Sequence, residues 1–432
     1  MTDDTLFPAH RQAALARLDA IRPGAYAATR NHLDGAVTRL SPYLTHGLLT
    51  LREVGQALAG PHPLPVGHKL VSELGWRAYF HHVWQHRGDG IFASLHEGPL
   101  PEAAYANTLP DDIRQGRTGV PVIDRAVATL YRDGWLHNHA RMWLASYIVH
   151  LRQVHWRVGA DWLYGHLLDG DLASNHLSWQ WVAGTGSHKP YLFNADNVAR
   201  FAPADWHSPG TVIDTDYETL DGMARTARGV RGAQTTDGMN TTDRADGIAG
   251  RAGRAGAGAR SRSFDTHPGT WQAEEPPLWH APPSSAGFLT APDPSTVAGR
   301  DVWLVHPWAL HDTPPPATPV RPLRIGVCIA EFHARWGWSE RRWRFVAEAM
   351  ASHTDACWWG DAASLREALS SARSVRSLAD PHLDAALDPA VTWTSPPTLF
   401  PKVPGPCRSF SQYWSRVTKG SRTLADLLER TG

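Results

Sequence analysis

Residues 135–156 read WLHNHARMWLASYIVHLRQVHW. Met142, Trp143, Ala145, Ile148, Val149 and Leu151 recur mostly at spacings of three and four, the period of a helix that buries one face. Arg11–Ile21 (RQAALARLDAI) and Leu51–Leu58 repeat that pattern, and strand-like alternation is nearly absent up to about Phe201. The expectation is an all-helical domain over residues 1–206.

Outward from this block the composition changes after Trp206. Residues 225–263 are a Gly-, Ala-, Arg- and Thr-rich tract that cannot bury enough apolar surface to offset its ordering entropy. Residues 207–299 are therefore expected to be a linker, largely disordered, with Pro-rich connecting sequence toward its end. Beyond it strands and helices alternate. Val302–His306, Ile325–Ile329 and Ala356–Trp359 read as short buried strands, Glu340–Met350 and Ser364–Ala372 as helices. The fold class is thus α plus α/β, with a small sheet domain over residues 300–432. No G-x-G-x-x-G run follows its first strand, so dinucleotide binding there is not indicated.

The formal net charge is 0, which argues against indiscriminate nucleic-acid binding through a basic coat but leaves room for a local basic groove. Twenty tryptophans against ten tyrosines exceed what an ordinary core needs, because each buried indole N–H wants a partner. Cys328, Cys357 and Cys407 form no C-x-x-C pair, so neither an iron–sulfur cluster nor structural zinc is suggested, and no metal is expected. An odd, sparse cysteine count fits a reducing cytosol. With no basic leader and no long apolar run, the expected protein is a soluble cytoplasmic monomer, away from membranes.

Three constellations carry chemistry. Ser41-Pro42 at the head of a helical stretch reads as an N-cap followed by a first-turn proline, and Thr38 adds a hydroxyl to a helix end suited to anions. Asp169-Gly170-Asp171-Leu172-Ala173-Ser174-Asn175 opens with two acids. Ala173 occupies the third ligand position and no closing glutamate follows, which excludes an EF-hand. Trp179-Gln180-Trp181 and the small-residue turn Gly184-Thr185-Gly186 come directly after it. Glu73 and Trp76 share a helix face, as do Asn138 and Arg141.

Taken in order, Tyr26, TRLSPYL, ELGWR, GVPVID, WLHNHARM, DGDLASN, WQW and GTG resemble the flavin domain of the DNA photolyase and cryptochrome family. That resemblance implies a helical fold around a U-shaped FAD. Tyr26, Thr38, Arg39, Leu40 and Ser41 would hold its phosphates and ribityl chain. Arg77, Asn138, Arg141, Asp169 and Asp171 would line the flavin, with Arg141 and Asp169 paired near the ring. Asn175 would face flavin N5, its amide accepting the N–H of a reduced flavin. On the substrate side Glu73 would hydrogen-bond a flipped pyrimidine dimer, with Trp76 and Trp181 as walls and Met142 beneath. An extruded lesion needs such flat apolar walls and a polar group for its edge. Arg30, His139 and Lys189 would face DNA. Trp179 and Trp156 match the inner and middle members of an electron-supplying tryptophan chain.

The chain departs from the family pattern in four places. No tryptophan stands near Ala103 for the outer member of that chain, leaving Trp84, Trp143 or Trp162 as substitutes. His139 replaces a usual arginine, Val37 a common threonine, and the loop Ser187–Tyr191 is short. The family's α/β antenna domain normally comes first. Here Val302-Trp303-Leu304-Val305-His306-Pro307-Trp308-Ala309-Leu310-His311-Asp312-Thr313-Pro314 looks like its opening strand and turn, and Ser409–Trp414 like its closing segment. Two accounts stand: the antenna-like domain displaced by circular permutation, or an unrelated α/β domain. For an antenna pigment the alternatives are a bound chromophore and, as the expectation, a purely structural role.

The function implied is light-driven repair of pyrimidine dimers in UV-damaged DNA by electron transfer from photoexcited reduced FAD, a carbon–carbon lyase activity. The alternative is a cryptochrome-like blue-light photoreceptor without repair. Glu73, Trp76 and Asn175 favour repair, whereas His139 and the missing outer tryptophan favour the sensor. A third reading, a flavin-free DNA-binding protein, predicts a colourless protein.

Overall fold

The chain is seen in a computed structural model, described for residues 6–187, 189–227, 273–287, 289–311 and 321–431. Its first half is helical, with Lys69–Arg87, Pro121–Asp133, Asn138–Ser146, Trp156–His166 and Leu172–Ala183 as the principal helices. Their ends follow local chemistry. Gly134 and Gly184 close two of them in the left-handed region, at φ 63° and 80°, which only glycine reaches cheaply. Asp171 caps the helix Leu172–Ala183, its side chain accepting from the Ser174 amide. The stretch that fixed the helical reading is helical over residues 138–151, and a new helix starts at Trp156. Asn138–Ser146 runs into a π-helical turn, Tyr147–Leu151, all of it buried.

The second half holds a five-stranded parallel sheet: β1 (Asp301–Val305), β2 (Leu323–Ile329), β3 (Ala356–Gly360), β4 (Ser374–Leu378) and β5 (Thr392–Thr394). Their order across the sheet is β3-β2-β1-β4-β5, so the chain starts in the middle and winds outward both ways. A parallel sheet needs cover on both faces, and the β-branched runs of β1 and β2 are buried accordingly. The helix Glu340–Ala351 covers one region, burying Trp343, Phe345, Val346 and Met350. The sequence pattern locates β1, β2 and β3; it misses β4 and β5, which are short and mixed in polarity.

The connecting segment is more ordered at its ends than its composition suggests. Tyr217–Arg225 is a helix that buries Leu220 and Ala224, one turn apart, after Asp216 caps it. Leu278–Trp279 pairs antiparallel with Trp338–Ser339. The rest of the tract, residues 228–272, and Asp312-Thr313-Pro314 lie outside the described residues.

The two halves share one core. Tyr43, Leu74, Tyr164 and Leu168 from the helices cluster with Trp338, Trp343 and Phe345 from the sheet half. A second cluster, around Ile123, Trp143, Ile148 and Trp179, belongs to the helices alone. Close approach between the halves sets some small residues. A Cβ on Gly75 would lie 2.2 Å from the Trp414 ring, so a glycine beside Trp76 admits the helix Phe410–Val417. Among the described residues no helix is long and apolar enough to cross a membrane.

Candidate functional site

Between the helices Asn138–Ser146, Trp156–His166 and Leu172–Ala183 lies a partly open cavity of about 160 Å³. It is lined by Arg77, Asn138, Arg141, Asp169, Asp171 and Asn175, with Ser41, Met142 and Trp179 completing its wall.

Two acid–base pairs organise the polar wall. Arg141 Nη2 donates to both oxygens of Asp169, at 2.9 and 2.7 Å, while its Nε donates to the Leu136 carbonyl at 3.0 Å. Asp171 Oδ2 accepts from Arg77 Nη2 at 3.1 Å and meets His81 Nε2 at 2.8 Å. Burial alone would raise the Asp171 pKa, but Arg77 and His81 outweigh it and hold the carboxyl well below its ordinary range. Both acids are nearly inaccessible, and each faces a cationic partner that answers its charge.

Asn175 and Ser174 point to a ligand. Asn175 Nδ2 donates to the Ala160 carbonyl at 2.8 Å. With its amino group committed, the oxygen is what the amide can offer to the cavity, an acceptor for an N–H. Ser174 Oγ is buried without a hydrogen-bond partner among the described residues, a deficit that a bound polar molecule would repair. The donors and acceptors suit a large polar ring system and its phosphates, so the residues present fit FAD.

The structure brings together Ser41, Arg77, Asn138, Arg141, Met142, Asp169, Asp171, Asn175 and Trp179, all of which the sequence motifs group. Other residues stand apart from the cavity wall. Leu40 is in the core at 2% exposure, and Thr38 Oγ1 accepts from its amide. Arg39 adopts φ 50° and places its guanidinium 5.5 Å from the Trp135 ring centre. Ser41 is not an N-cap: Leu40 holds that position without a side-chain bond, and Ser41 Oγ instead accepts from the Trp135 indole at 3.1 Å. The left-handed Arg39 turns the chain just before the five-residue helix that Ser41 begins, and Gly47 at φ 63° lies just past its end.

Outside the cavity wall, Arg30 Nε lies 3.7 Å from Glu73 Oε1, and the Glu73 side chain is 42% exposed. Partial burial raises its pKa, with Arg30 opposing, and Tyr26 is close enough to feel Glu73's charge. Trp181 is 39% exposed, and Lys189 is also exposed. Trp76 departs from expectation. It does not line the cavity but stacks on Phe410, because the C-terminal helix covers that face of Lys69–Arg87. His139 packs against Phe201 and Trp143, and burial, with Arg30 and His32 nearby, lowers its pKa to about 4.

Trp179 and Trp156 are both 2% exposed, and a Cβ on Gly159 would strike the Trp179 ring at 2.4 Å. Glycine one turn after Trp156 is what lets Trp179 lie so close to that helix. The three suggested substitutes for an outer tryptophan are engaged elsewhere. Trp84 packs on His382, Trp143 donates to Asn197, and Trp162 donates to Tyr131 and Glu275. Instead Tyr105 lies 6.3 Å from the His155 ring, which lies 5.7 Å from Trp156. Tyr105 stands two residues from Ala103, the place where the family pattern has a tryptophan. Sequence motifs also miss His81 and Ser174; Ser174 falls within DGDLASN, three residues after its capping acid.

Residues 70–208 match the family model described as the FAD binding domain of DNA photolyase. The chain is 36% identical over 155 residues to the deoxyribodipyrimidine photo-lyase of Streptomyces griseus, covering 35% of this chain and 33% of that one. It is 32% identical over 209 residues to the Synechococcus enzyme of the same name, covering 44% and 42% respectively. Among solved structures, a Synechocystis cryptochrome is similar over 44% of this chain and 43% of its own, at 29% identity and a TM-score of 0.40. The chain therefore spans less than half the length of each of these relatives.

Proposed function

We propose that this chain, a member of the DNA photolyase and cryptochrome family through residues 70–208, uses light and bound FAD to repair pyrimidine dimers in DNA. The observation that carries the reading is the convergence of Arg141–Asp169, Asp171, Asn175 and the unpartnered Ser174 hydroxyl on one cavity, within the segment that matches the flavin domain.

Arg77, Asn138, Arg141, Asp169, Asp171 and Asn175 would hold FAD, which when bound and reduced would supply light-driven one-electron chemistry for splitting the two carbon–carbon bonds of the cyclobutane ring, redox-neutral overall. The protein's part is placement. Arg141 and Asp169 hold each other rigidly, offering an oriented donor and acceptor to a ring in the cavity. Asn175 presents a carbonyl oxygen that accepts a ring N–H and so keeps that proton in place. Asn138, Arg77 and Asp171 complete the polar wall, and Tyr26, Thr38, Arg39, Leu40 and Ser41 serve the phosphate and ribityl end. Trp179 and Trp156 relay electrons inward.

Outside the cavity wall, Glu73 accepts from the edge of an extruded base while Arg30 answers its charge. Trp181 offers an exposed flat face for stacking, Met142 forms the floor, and Lys189 adds to a phosphate-facing edge. Trp76 acts from the opposite side, steadying the helix that carries Glu73. The α/β half takes a structural role without pigment. Just past the carboxyl ends of β1 and β4, Trp308 stacks on His382, 3.9 Å apart and 3° from parallel, and Trp84 packs on His382. The arrangement of a helical domain over residues 1–206 and an antenna-like domain over residues 300–432 then amounts to a circular permutation of the family's order.

One observation favours the photoreceptor instead. A neutral His139 contributes no charge to a DNA-facing edge where photolyases carry arginine. Illuminating the reduced protein with dimer-containing oligothymidine decides between them. Recovery of absorbance near the thymine band is the expected result; normal flavin reduction without that recovery would replace repair with the sensor.

A further inference from the structure

Three consecutive backbone carbonyls carry the turn that presents Asp169 and Asp171, and a side chain from elsewhere meets each. The Leu168 oxygen lies 2.9 Å from His46 Nε2. The Asp169 oxygen accepts from Thr45 Oγ1 at 3.2 Å. The Gly170 oxygen accepts from Arg342 Nη2 at 2.6 Å. Two of these contacts lead into the sheet half. Arg342 belongs to the helix Glu340–Ala351, and the other nitrogen of His46 lies 2.7 Å from the Pro307 carbonyl, just past β1; burial keeps the ring neutral, so it donates to one of these two carbonyls and only touches the other.

Arg342 is an unusual residue to find there. It is fully buried, and its guanidinium lies between two rings, 4.1 Å from the centre of Trp338 and 4.8 Å from that of Tyr164. Packing alone would be served by an apolar side chain of similar length, because a buried cation is costly unless its charge is answered. The acids whose charge it feels are Asp169 and Asp171, reached across the Gly170 peptide. Gly170 is shaped to this contact. A Cβ there would lie 2.5 Å from Arg342 Nη1 and 2.7 Å from the Tyr164 carbonyl oxygen.

We infer that Arg342 is a positioning residue for the cofactor cradle: delivered from the sheet half, its guanidinium fixes the Asp169-Gly170-Asp171 turn and so orients both carboxylates toward the cavity. The sheet half is then a working part of the site, whichever way the two halves are joined along the chain. The consequence for FAD rests on the reading of the cavity given above; the consequence for the turn rests on geometry alone.

The test uses full-length Arg342→Met, Arg342→Lys and, as a control in the same helix, Trp343→Phe. Arg342→Met is expected to raise amide hydrogen exchange in residues 167–174 at least tenfold while β1 and β2 keep their protection, and to weaken FAD binding at least tenfold. Arg342→Lys keeps the charge without the fork, so it recovers part of both losses, and Trp343→Phe leaves residues 167–174 and FAD affinity unchanged. If Arg342→Met does not fold, Arg342→Lys carries the test and must show the intermediate change. Exchange in residues 167–174 within twofold of the unsubstituted protein overturns the inference. If the unsubstituted protein fails to bind FAD, the proposed function falls, and the exchange measurement still decides the role of Arg342.

Discussion

The indole of Trp76 lies flat on the ring of Phe410, with centroids 3.9 Å apart and planes 9° apart. Trp76 sits one helical turn from Glu73 on the helix Lys69–Arg87, whereas Phe410 opens the helix Phe410–Val417. A tryptophan that the motif suggests for lesion contact is thereby used to fasten the two halves. Stacked aromatic pairs add about 0.5–1.5 kcal/mol beyond the area they bury.

Trp76→Ala should therefore act on stability first. Losing the stack and the apolar area behind it is expected to cost about 2–4 kcal/mol, read as a lower Tm. Trp181→Ala, at an exposed ring, should leave Tm nearly unchanged and weaken binding of dimer-containing DNA about tenfold. A reversed pattern, with Trp76 affecting only DNA and Trp181 only Tm, would contradict these placements.

Asn175 and Glu73 are expected to separate cleanly. Asn175→Ala removes the bond to the Ala160 carbonyl and the oxygen that faces the cavity. Its effect should fall on the stability of reduced FAD, lowered roughly tenfold, about the worth of one buried hydrogen bond. Glu73→Ala lies outside the cavity wall beside Arg30 and should slow repair roughly tenfold while FAD binding stays within twofold. Flavin spectra after anaerobic reduction check the first, and single-turnover repair the second. Equal effects of both variants on FAD binding would mean that Glu73 belongs to the cofactor wall.

Buried histidines give the fold a pH dependence whose sign follows from their environment. Burial lowers the pKa of His137 and of His150 to about 4 each, His139 and Arg141 contributing at His137. Both stay neutral in the folded chain as pH falls, whereas in the unfolded chain they protonate near the ordinary value of about 6.5. The unfolded state then binds more protons, so stability is fully present above about pH 6.5 and declines toward pH 4. A tenfold difference in proton affinity between the folded and unfolded chain corresponds to about 1.4 kcal/mol, so the two histidines together give a loss of several kcal/mol. Tm measured from pH 7.5 to 4.5 should fall steadily; a flat profile would require these rings to protonate within the fold.

His139 makes a more specific prediction. Its lowered pKa leaves it uncharged at neutral pH, packed between Phe201 and Trp143. His139→Arg would add a permanent charge near Arg30 at the DNA-facing edge, if its longer side chain reaches out past Phe201. DNA affinity should rise severalfold and the salt dependence should steepen by about one phosphate contact. An unchanged salt slope would show that position 139 does not face the backbone of DNA.

How much of this is written in the sequence differs between residues. Asp169, Asp171, Asn175 and Trp179 sit within eleven positions on one capped helix and the turn before it, so a linear motif captures them. Arg141 is legible because helical spacing aligns it with Asn138. Trp76 is misplaced by its motif because its environment is made by Phe410, far along the chain, and no local pattern encodes that approach. Thr45, His46 and Arg342 are invisible for the same reason: they act on backbone carbonyls, and a carbonyl leaves no mark on residue identity. Gly170 is the one available hint, a glycine between two acids where a Cβ would meet a guanidinium. The strands β4 and β5 escape notice because Ser374–Leu378 and Thr392–Thr394 are short and polar, and their pairing with β1 and with each other supplies what their composition lacks.

Electron supply to the cavity is testable ring by ring. Trp179 lines it, and Trp156 lies one turn from the glycine on which Trp179 packs. Past Trp156 the next rings are His155, which leads to Tyr105, and His176, which leads to Trp336, while Trp84, Trp143 and Trp162 are bonded or packed into other parts of the core. Light-driven reduction of bound flavin by an external thiol should therefore slow at least tenfold in Trp179→Phe and in Trp156→Phe, because phenylalanine is far harder to oxidise than an indole. Tyr105→Phe, which keeps the ring and removes only the oxidisable phenol, should slow it by a smaller factor, and Trp143→Phe should leave it unchanged. The measurement is the loss of oxidised-flavin absorbance under constant blue light. Full-rate reduction in Trp156→Phe would mean that electrons enter by another path and that the proximity of Trp179 and Trp156 is packing alone.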